Sequence, residues 1–359
     1  MKGSMKKVFP GSNTAEGFYS YYASGLMGMD RIFVLKGGPG AGKSTLMRKI
    51  GLACQERGYD IELWQCSSDT NSLDGVLIPE LKVAIVDGTA PHVVDPRYPG
   101  VVDEIVNLGA FWDREKLCAA AETIKDLIDE CSHAFKESYE RLAVAGERER
   151  EILALRLSES DEIQLQKLEK NLINEIISKR EPEVRHLFSS AITPEGLEKN
   201  AFAIAAQMER RYILQGPLGA GQSRVLQSLA RAGEKANLAL EIYHSPLLPD
   251  QVEMVIFPDL KIAAIAAEEI PLDQMKKGDK IISFHNCLRK EKEEEINDLI
   301  ALRDQMLAEG VSFIAAAHRL HDDLEVPYIA AMDFDKIDET RNQIFNCILA
   351  IAAKAEKNP

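Results

Sequence analysis

Gly37-Gly38-Pro39-Gly40-Ala41-Gly42-Lys43-Ser44 is the stretch on which the reading of this 359-residue chain turns. It satisfies GxxxxGK[ST] at every fixed position. On one side lies an apolar run that reads as a strand, Arg31-Ile32-Phe33-Val34-Leu35-Lys36, and on the other a helical periodicity from Ser44 to Arg57 that stops at Gly58. Glycines let a backbone curl until several N–H groups face one anion, and a helix that starts just behind them points its positive end at the same spot. In such a loop Lys43 would carry a point charge to phosphate oxygens, and the Ser44 hydroxyl would reach Mg²⁺.

Working outward, the loop occurs twice. A shift of 179 positions lays residues 9–90 on 188–269 without a gap: Phe9 on Phe188, Thr14 on Thr193, Glu16-Gly17 on Glu195-Gly196, Arg31 on Arg210. Gly37, Gly40, Ala41, Gly42 and Ser44 fall on Gly216, Gly219, Ala220, Gly221 and Ser223, and Pro79, Leu81, Lys82 and Ala84 fall on Pro258, Leu260, Lys261 and Ala263. A constant offset over so long a stretch implies duplication of a whole domain. A weaker echo continues at an offset of 172, with Ile124 and Asp126 on Ile296 and Asp298 and Leu142-Ala143 on Ile314-Ala315.

Each repeat reads as an α/β unit. Thr14-Ala15-Glu16-Gly17 and Thr193-Pro194-Glu195-Gly196 read as helix starts with a threonine cap and an acid in the first turn. After the glycine-rich loop and its helix, the stretch from Tyr59 to Cys66 resumes a strand pattern, a polar loop follows, and the stretch from Leu81 to Val86 reads as a third buried strand. Strands alternating with helices predict a parallel sheet covered on both faces. Between the repeats, residues 136–185 are dense in charge of both signs, with Leu165, Leu168, Leu172 and Ile176 at helical spacing. That pattern predicts a helical hairpin arm turned near 157–160, either a solvated face or an element that docks a partner or lies over a nucleotide. The expected domains are 1–113, a helical arm at 114–186, and 187–359.

A loop that holds Mg-phosphate needs an acid at the end of a neighbouring buried strand, and Asp87 after Val83-Ala84-Ile85-Val86 supplies it. With these residues the first repeat resembles a P-loop NTPase, Walker A at 37–44 and Walker B at Asp87. More narrowly, GGPGAGKST, the DGTAPH after the third strand and a degenerate second loop resemble bacterial ATP-binding proteins with two tandem P-loop domains. The resemblance implies ATP and Mg²⁺ as ligands: Gly38, Pro39, Gly40, Ala41, Gly42, Lys43, Ser44 and Thr45 on the phosphates, Ser44 and Asp87 on the metal, and Lys43 and Asp87 as the catalytic pair.

The departures from that pattern matter as much. Gly88 stands where many P-loop hydrolases place a water-polarising glutamate, leaving Asp69, Asp74, Glu80, Thr89 and His92 as candidates to orient water or an acceptor. Phe18, Tyr19, Tyr21 and Tyr22 are candidates to stack an adenine, with core packing as the plainer alternative. In the second repeat Gln222 replaces the lysine and Ala266 the aspartate, so both ionic anchors are missing; the loop is either a structural relic or a weak anion site, and Arg224 is a candidate arginine for the first site. His318 and His321, with Asp322 and Asp323, have a spacing feasible for a metal if His285 or His244 joined them.

The composition bounds the function. Apolar residues make up 45% and charged residues 28% of the chain, a globular composition. With 43 Lys and Arg against 57 Asp and Glu, the formal charge of -14 disfavours nucleic acid and anionic membranes as partners. No apolar run approaches the roughly 18 residues of a membrane span. Six cysteines without a CxxC pair predict reduced thiols, mostly buried, in a cytoplasmic protein. The expected function is an ATPase whose hydrolysis in the first domain moves the helical arm or the second domain, with a protein client at the arm. The alternatives are a kinase of a small acceptor and a non-catalytic nucleotide sensor.

Overall fold

A computed structural model describes residues 2–90, 93–159, 161–176, 184–287 and 292–355. The first repeat contains β1 (Met5–Val8), β2 (Gly11–Thr14), β3 (Gly17–Ser20), α1 (Tyr22–Gly25), β4 (Arg31–Lys36), α2 (Lys43–Glu56), β5 (Ile61–Gln65), β6 (Leu73–Ile78), β7 (Val83–Asp87) and β8 (Asp103–Asn107). Three helices follow, α3 (Arg114–Ala119), α4 (Ala121–Glu159) and α5 (Glu162–Ile176). The second repeat contains β9 (Val184–Phe188), β10 (Ser190–Thr193), β11 (Gly196–Lys199), α6 (Ala201–Ile204), β12 (Arg210–Gln215), α7 (Gln222–Lys235), β13 (Leu240–His244), β14 (Val252–Phe257), β15 (Ile262–Ala267) and β16 (Lys280–Ser283). It closes with α8 (Glu293–Ala331) and α9 (Phe334–Ala355).

The duplication is visible in the sheets. One has the order β1-β5-β6-β7-β4-β8 and the other β9-β13-β14-β15-β12-β16, the same arrangement strand for strand. Neither is wholly parallel, contrary to the sequence expectation. β6 runs antiparallel to both β5 and β7, and β14 to both β13 and β15. The cause is connection length: the loops that enter and leave β6 are a few residues long, whereas a parallel crossover takes a dozen or more. Leu73–Ile78 does not stand out in the sequence because its polar leader, Ser67 to Ser72, extends the apparent loop across it.

The expected helix starts at Thr14 and Thr193 are hairpin turns instead. Thr14 Oγ1 accepts from the Glu16 N–H at 2.9 Å and donates to the Gly17 carbonyl at 2.7 Å, and Thr193 does the same for Glu195 and Gly196 at 3.2 and 2.8 Å. A threonine that caps its own backbone is compatible with helix or turn. The glycines decide, because φ of +90° at Gly17 and +113° at Gly196 fits a tight hairpin and not a helix.

The chain forms two compact units, and neither is contiguous. The first comprises 1–11, 26–137 and 312–359, and the second 12–25 and 138–311. In the first core, α2 buries Leu46, Met47, Ile50 and Cys54 on the sheet, and α9 adds Ile337, Ile344 and Ile348. Gly51 lets α2 close on β6, since an ideal Cβ there would stand 2.8 Å from Val76 Cγ2. In the second core, Val225, Leu226 and Leu229 of α7 play that part, and α5 adds Leu165, Leu172 and Ile176. The second unit also holds both hairpins, where Asn13 Nδ2 donates to the Ile192 carbonyl at 3.1 Å.

Of the turn expected near 157–160, residue 160 lies outside the described residues; α4 ends at Glu159, α5 begins at Glu162, and the two helices have different partners. α5 packs on α7. α4 pairs with α8, antiparallel and of equal length at 39 residues each. Within the second unit Ser138 Oγ donates to the Gly310 carbonyl at 2.8 Å, and Arg303 lies 3.5 Å from Glu149. Burial raises the Glu149 carboxyl to about 6, with Arg303 opposing the shift. Among the described residues no helix is long and apolar enough to cross a membrane. All six cysteines are free thiols, with Cys54, Cys66 and Cys287 buried and Cys118 exposed.

Candidate functional site

The glycine-rich loop spans the gap between β4 and α2, and the conformations it needs are those only glycine adopts readily. Gly40 has φ of +66° and Gly42 of +78°, the latter placing the left-handed residue directly before Lys43 opens α2. Lys43 folds back over the loop: its Nζ donates to the carbonyls of Gly37 at 2.7 Å and Gly38 at 2.8 Å and stands 3.5 Å from Asp87 Oδ2. β4 and β7 are parallel neighbours with Leu35 opposite Asp87, so the sheet itself carries the acid to the lysine.

The surrounding polar groups fix this pair. Asp87 Oδ1 accepts from the Thr89 N–H at 2.8 Å, and Thr89 Oγ1 donates to the Gly37 carbonyl at 2.8 Å, tying the end of β7 to the loop. Ser44 Oγ accepts from the Leu73 N–H at 2.9 Å, and Thr45 is exposed in the first turn of α2. Gly88 has no room for a side chain, because an ideal Cβ would stand 2.4 Å from Val34 Cγ1. The absence of a glutamate after Asp87 therefore has a steric cause.

The far side of the loop is covered by residues that the sequence did not mark. Trp112 and Tyr328 flank Gly38, their rings 5.3 Å apart and each with atoms within 3.4 Å of an ideal Cβ. Trp112 Nε1 is buried there without a hydrogen-bond partner among the described residues. Gly40 N–H donates to Glu325 Oε1 at 3.2 Å, and Phe334 and Ile337 face Gly42. Tyr328 and Glu325 come from the end of α8, Phe334 and Ile337 from the start of α9, and Trp112 from the segment before α3. The one available signal was the echo at 172, which pairs Arg156 with Tyr328.

The second loop preserves the geometry and lacks the charges. Gln222 Nε2 donates to the carbonyls of Gly216 at 2.7 Å and Pro217 at 3.3 Å, the counterparts of the Lys43 bonds. Ser223 Oγ accepts from the Val252 N–H at 2.9 Å, as Ser44 does from Leu73. Ala266 occupies the register position of Asp87, opposite Leu214. The stem of Arg156, itself 2% exposed, packs on Gly219, with Nη2 3.1 Å from Glu293 Oε1, and Leu165 packs on Gly221. Arg224 is engaged by both oxygens of Glu162 at 2.6 Å, and that bonding holds the Glu162 carboxyl down at about 2.

The remaining candidates fall elsewhere. Asp69 accepts from the Asn71 N–H and the Ser72 hydroxyl, closing its own loop, and Glu80 is exposed in the turn before β7. Asp74 is buried in β6. His92 lies outside the described residues. His318 and His321 stand 3.9 Å from Asp322 and Glu325 along α8, His285 is exposed, and no group of three His, Cys, Asp or Glu side chains among the described residues has metal-holding geometry. Phe18 and Tyr19 lie on β3, not on a helix.

Tyr21 belongs to the second unit, where it stacks on His186 and His244 at 5.8 and 4.6 Å. There His244 Nδ1 donates to the Pro249 carbonyl at 2.6 Å, which leaves Nε2 to accept from His186 Nδ1 at 2.8 Å. Burial, and then the neighbouring His186, lower His244 to about 4; burial also lowers His186.

Comparison with known proteins finds no matching family model, no matching curated protein and no matching solved structure.

Proposed function

We propose that the first unit is a P-loop nucleotide site that binds Mg-ATP and hydrolyses it, the hydrolysis driving a movement of the long helices that a protein client reads. The observation that carries this is Lys43, set between two loop carbonyls and an aspartate at the tip of the adjacent parallel strand. The residues fit the ligand. Gly38 and Gly40 make a cradle in which a Cβ would collide with neighbours, and one ammonium, one hydroxyl and one carboxylate are the side-chain donor set a Mg-bound polyphosphate needs. In this reading the loop from Gly38 to Thr45 holds phosphate, Lys43 carries the compensating charge, and Ser44 and Asp87 hold Mg²⁺. Bound Mg-ATP supplies the transferable phosphoryl group.

A kinase of a small acceptor is the second reading, and the closed position at Gly88 favours it, because the usual place for a water-polarising carboxylate is sterically barred. Titration of Mg-ATP into the full chain decides whether the site exists: one equivalent should bind, since Gln222 and Ala266 remove the ionic anchors of the second loop. Lys43→Ala should weaken binding by at least about tenfold, the loss of a charge-assisted bond of about 1.5–3 kcal/mol. Unchanged affinity and turnover in that variant would defeat the assignment. Steady phosphate release without an acceptor marks the hydrolase; turnover only with an added acceptor marks the kinase.

A further inference from the structure

The glycine-rich loop is engaged by a carboxylate of its own chain. Glu325 Oε1 accepts the N–H of Gly40 at 3.2 Å, the kind of contact an anion cradle offers to a phosphate oxygen. The helix behind that carboxylate is equally close. An ideal Cβ on Gly40 would stand 2.8 Å from Ile329 Cγ1 and 3.0 Å from the Glu325 carbonyl oxygen, so one turn of α8 lies directly on the loop.

Two features separate this contact from ordinary packing. At the offset of 172 the counterpart of Glu325 is Leu153, and the counterpart of Tyr328 is Arg156, whose stem covers Gly219 of the second loop. A helix therefore covers the degenerate loop as well, through the Arg156 stem, and the sequence position that matches Glu325 carries no acid there, so the acid occurs only in the copy that keeps its lysine. The covering turn of α8 also contains Pro327 inside the helix. Proline removes a backbone hydrogen bond and crowds the preceding turn, so α8 is weakest where it meets the loop.

We propose that the Glu325–Ile329 turn of α8 is an autoinhibitory gate, in which the carboxylate holds the Gly40 N–H in place of a phosphate oxygen and the turn must leave the loop before nucleotide phosphates seat. This rests on the nucleotide-binding reading above. The gate gives the proposed hydrolysis cycle a moving part, since nucleotide entry and displacement of α8 become one event. A gate lowers apparent affinity by the fraction of molecules that are open, so loosening it tightens binding.

The test is calorimetric titration of Mg-ATP into the full chain and into two variants, with circular dichroism as the check on folding. Glu325→Gln keeps the shape and removes the charge. Ile329→Ala removes a contact from a side chain that is 45% exposed, so it is the variant to read should the first not fold. Both should bind Mg-ATP more tightly, by about tenfold for a gate that is mostly closed. Tightening in Glu325→Gln alone would be relief of charge repulsion and would overturn the gate. Wild-type binding with neither variant tighter would overturn the gate and leave the nucleotide site standing. No binding by any of the three proteins would overturn the nucleotide reading and the gate with it.

Discussion

Gln222 makes the two bonds that Lys43 makes, to the carbonyls two corresponding residues share across the repeat. The loop thus requires a donor at this position to close on itself, and the positive charge is a separate property. Ser44 and Ser223 draw the same line, each accepting a strand N–H. What both copies retain serves the protein's own hydrogen bonds; what differs is charge, since the second copy has an amide and a methyl group where the first has a cation and a carboxylate. His244 gives this scale its pH dependence. It titrates near 6.5 when unfolded and at about 4 when folded, so between those values only the unfolded chain takes up the proton. Its contribution is complete above about pH 6.5 and is lost as the pH falls to 4, an effect of order 3 kcal/mol. The melting temperature of the wild type should therefore fall more steeply over that window than that of His244→Gln. Carboxylates such as Glu149, which titrate there as well, are common to both proteins and cancel in the comparison. Parallel curves would sink the assignment. Lys43, Ser44 and Asp87 were legible in the sequence because loop, helix and strand follow one another within about fifty residues. Glu325 and Tyr328 were not, because nothing local distinguishes a helical glutamate on a loop from one in water.

Among the elements, α5 shows how far periodicity carries. The spacing of Leu165, Leu172 and Ile176 identified a helix with one apolar face, but periodicity is silent on what that face meets. It meets the second core, with Leu165 fully buried and its Cδ2 2.7 Å from an ideal Cβ on Gly221. Leu165→Ala should then cost about 2–5 kcal/mol in urea unfolding, as core truncations do. Ile163→Ala, at a side chain 79% exposed on the same helix, should change stability by less than about 0.5 kcal/mol. Equal small effects would return α5 to the status of a solvated arm. The sheet order illustrates the opposite case. Apolar runs located β4, β5 and β7, whereas strand direction depends on loop length, and the polar residues ahead of β6 concealed how short its loop is.

At the scale of the whole molecule, the duplicated sequence and the compact units do not coincide. The sequence repeats divide the chain near residue 186, yet the first core draws Ile337, Ile344 and Ile348 from the last helix of the second repeat. The second core draws Leu165, Leu172 and Ile176 from the first repeat. The N-terminal hairpin, residues 12–25, also belongs to the second unit. A gene divided between the repeats therefore encodes two fragments that each lack part of their own core. Expressed alone, fragments 1–186 and 187–359 should be insoluble or molten; co-expressed, they should recover a folded complex by complementation, read by co-purification on a tag carried by one of them. Independent folding of either fragment would show the exchanged helices to be dispensable. The interleaving also bears on how such a chain could have been inherited. Once each half relies on a helix from the other, neither can be lost on its own, whatever the second loop does or does not bind.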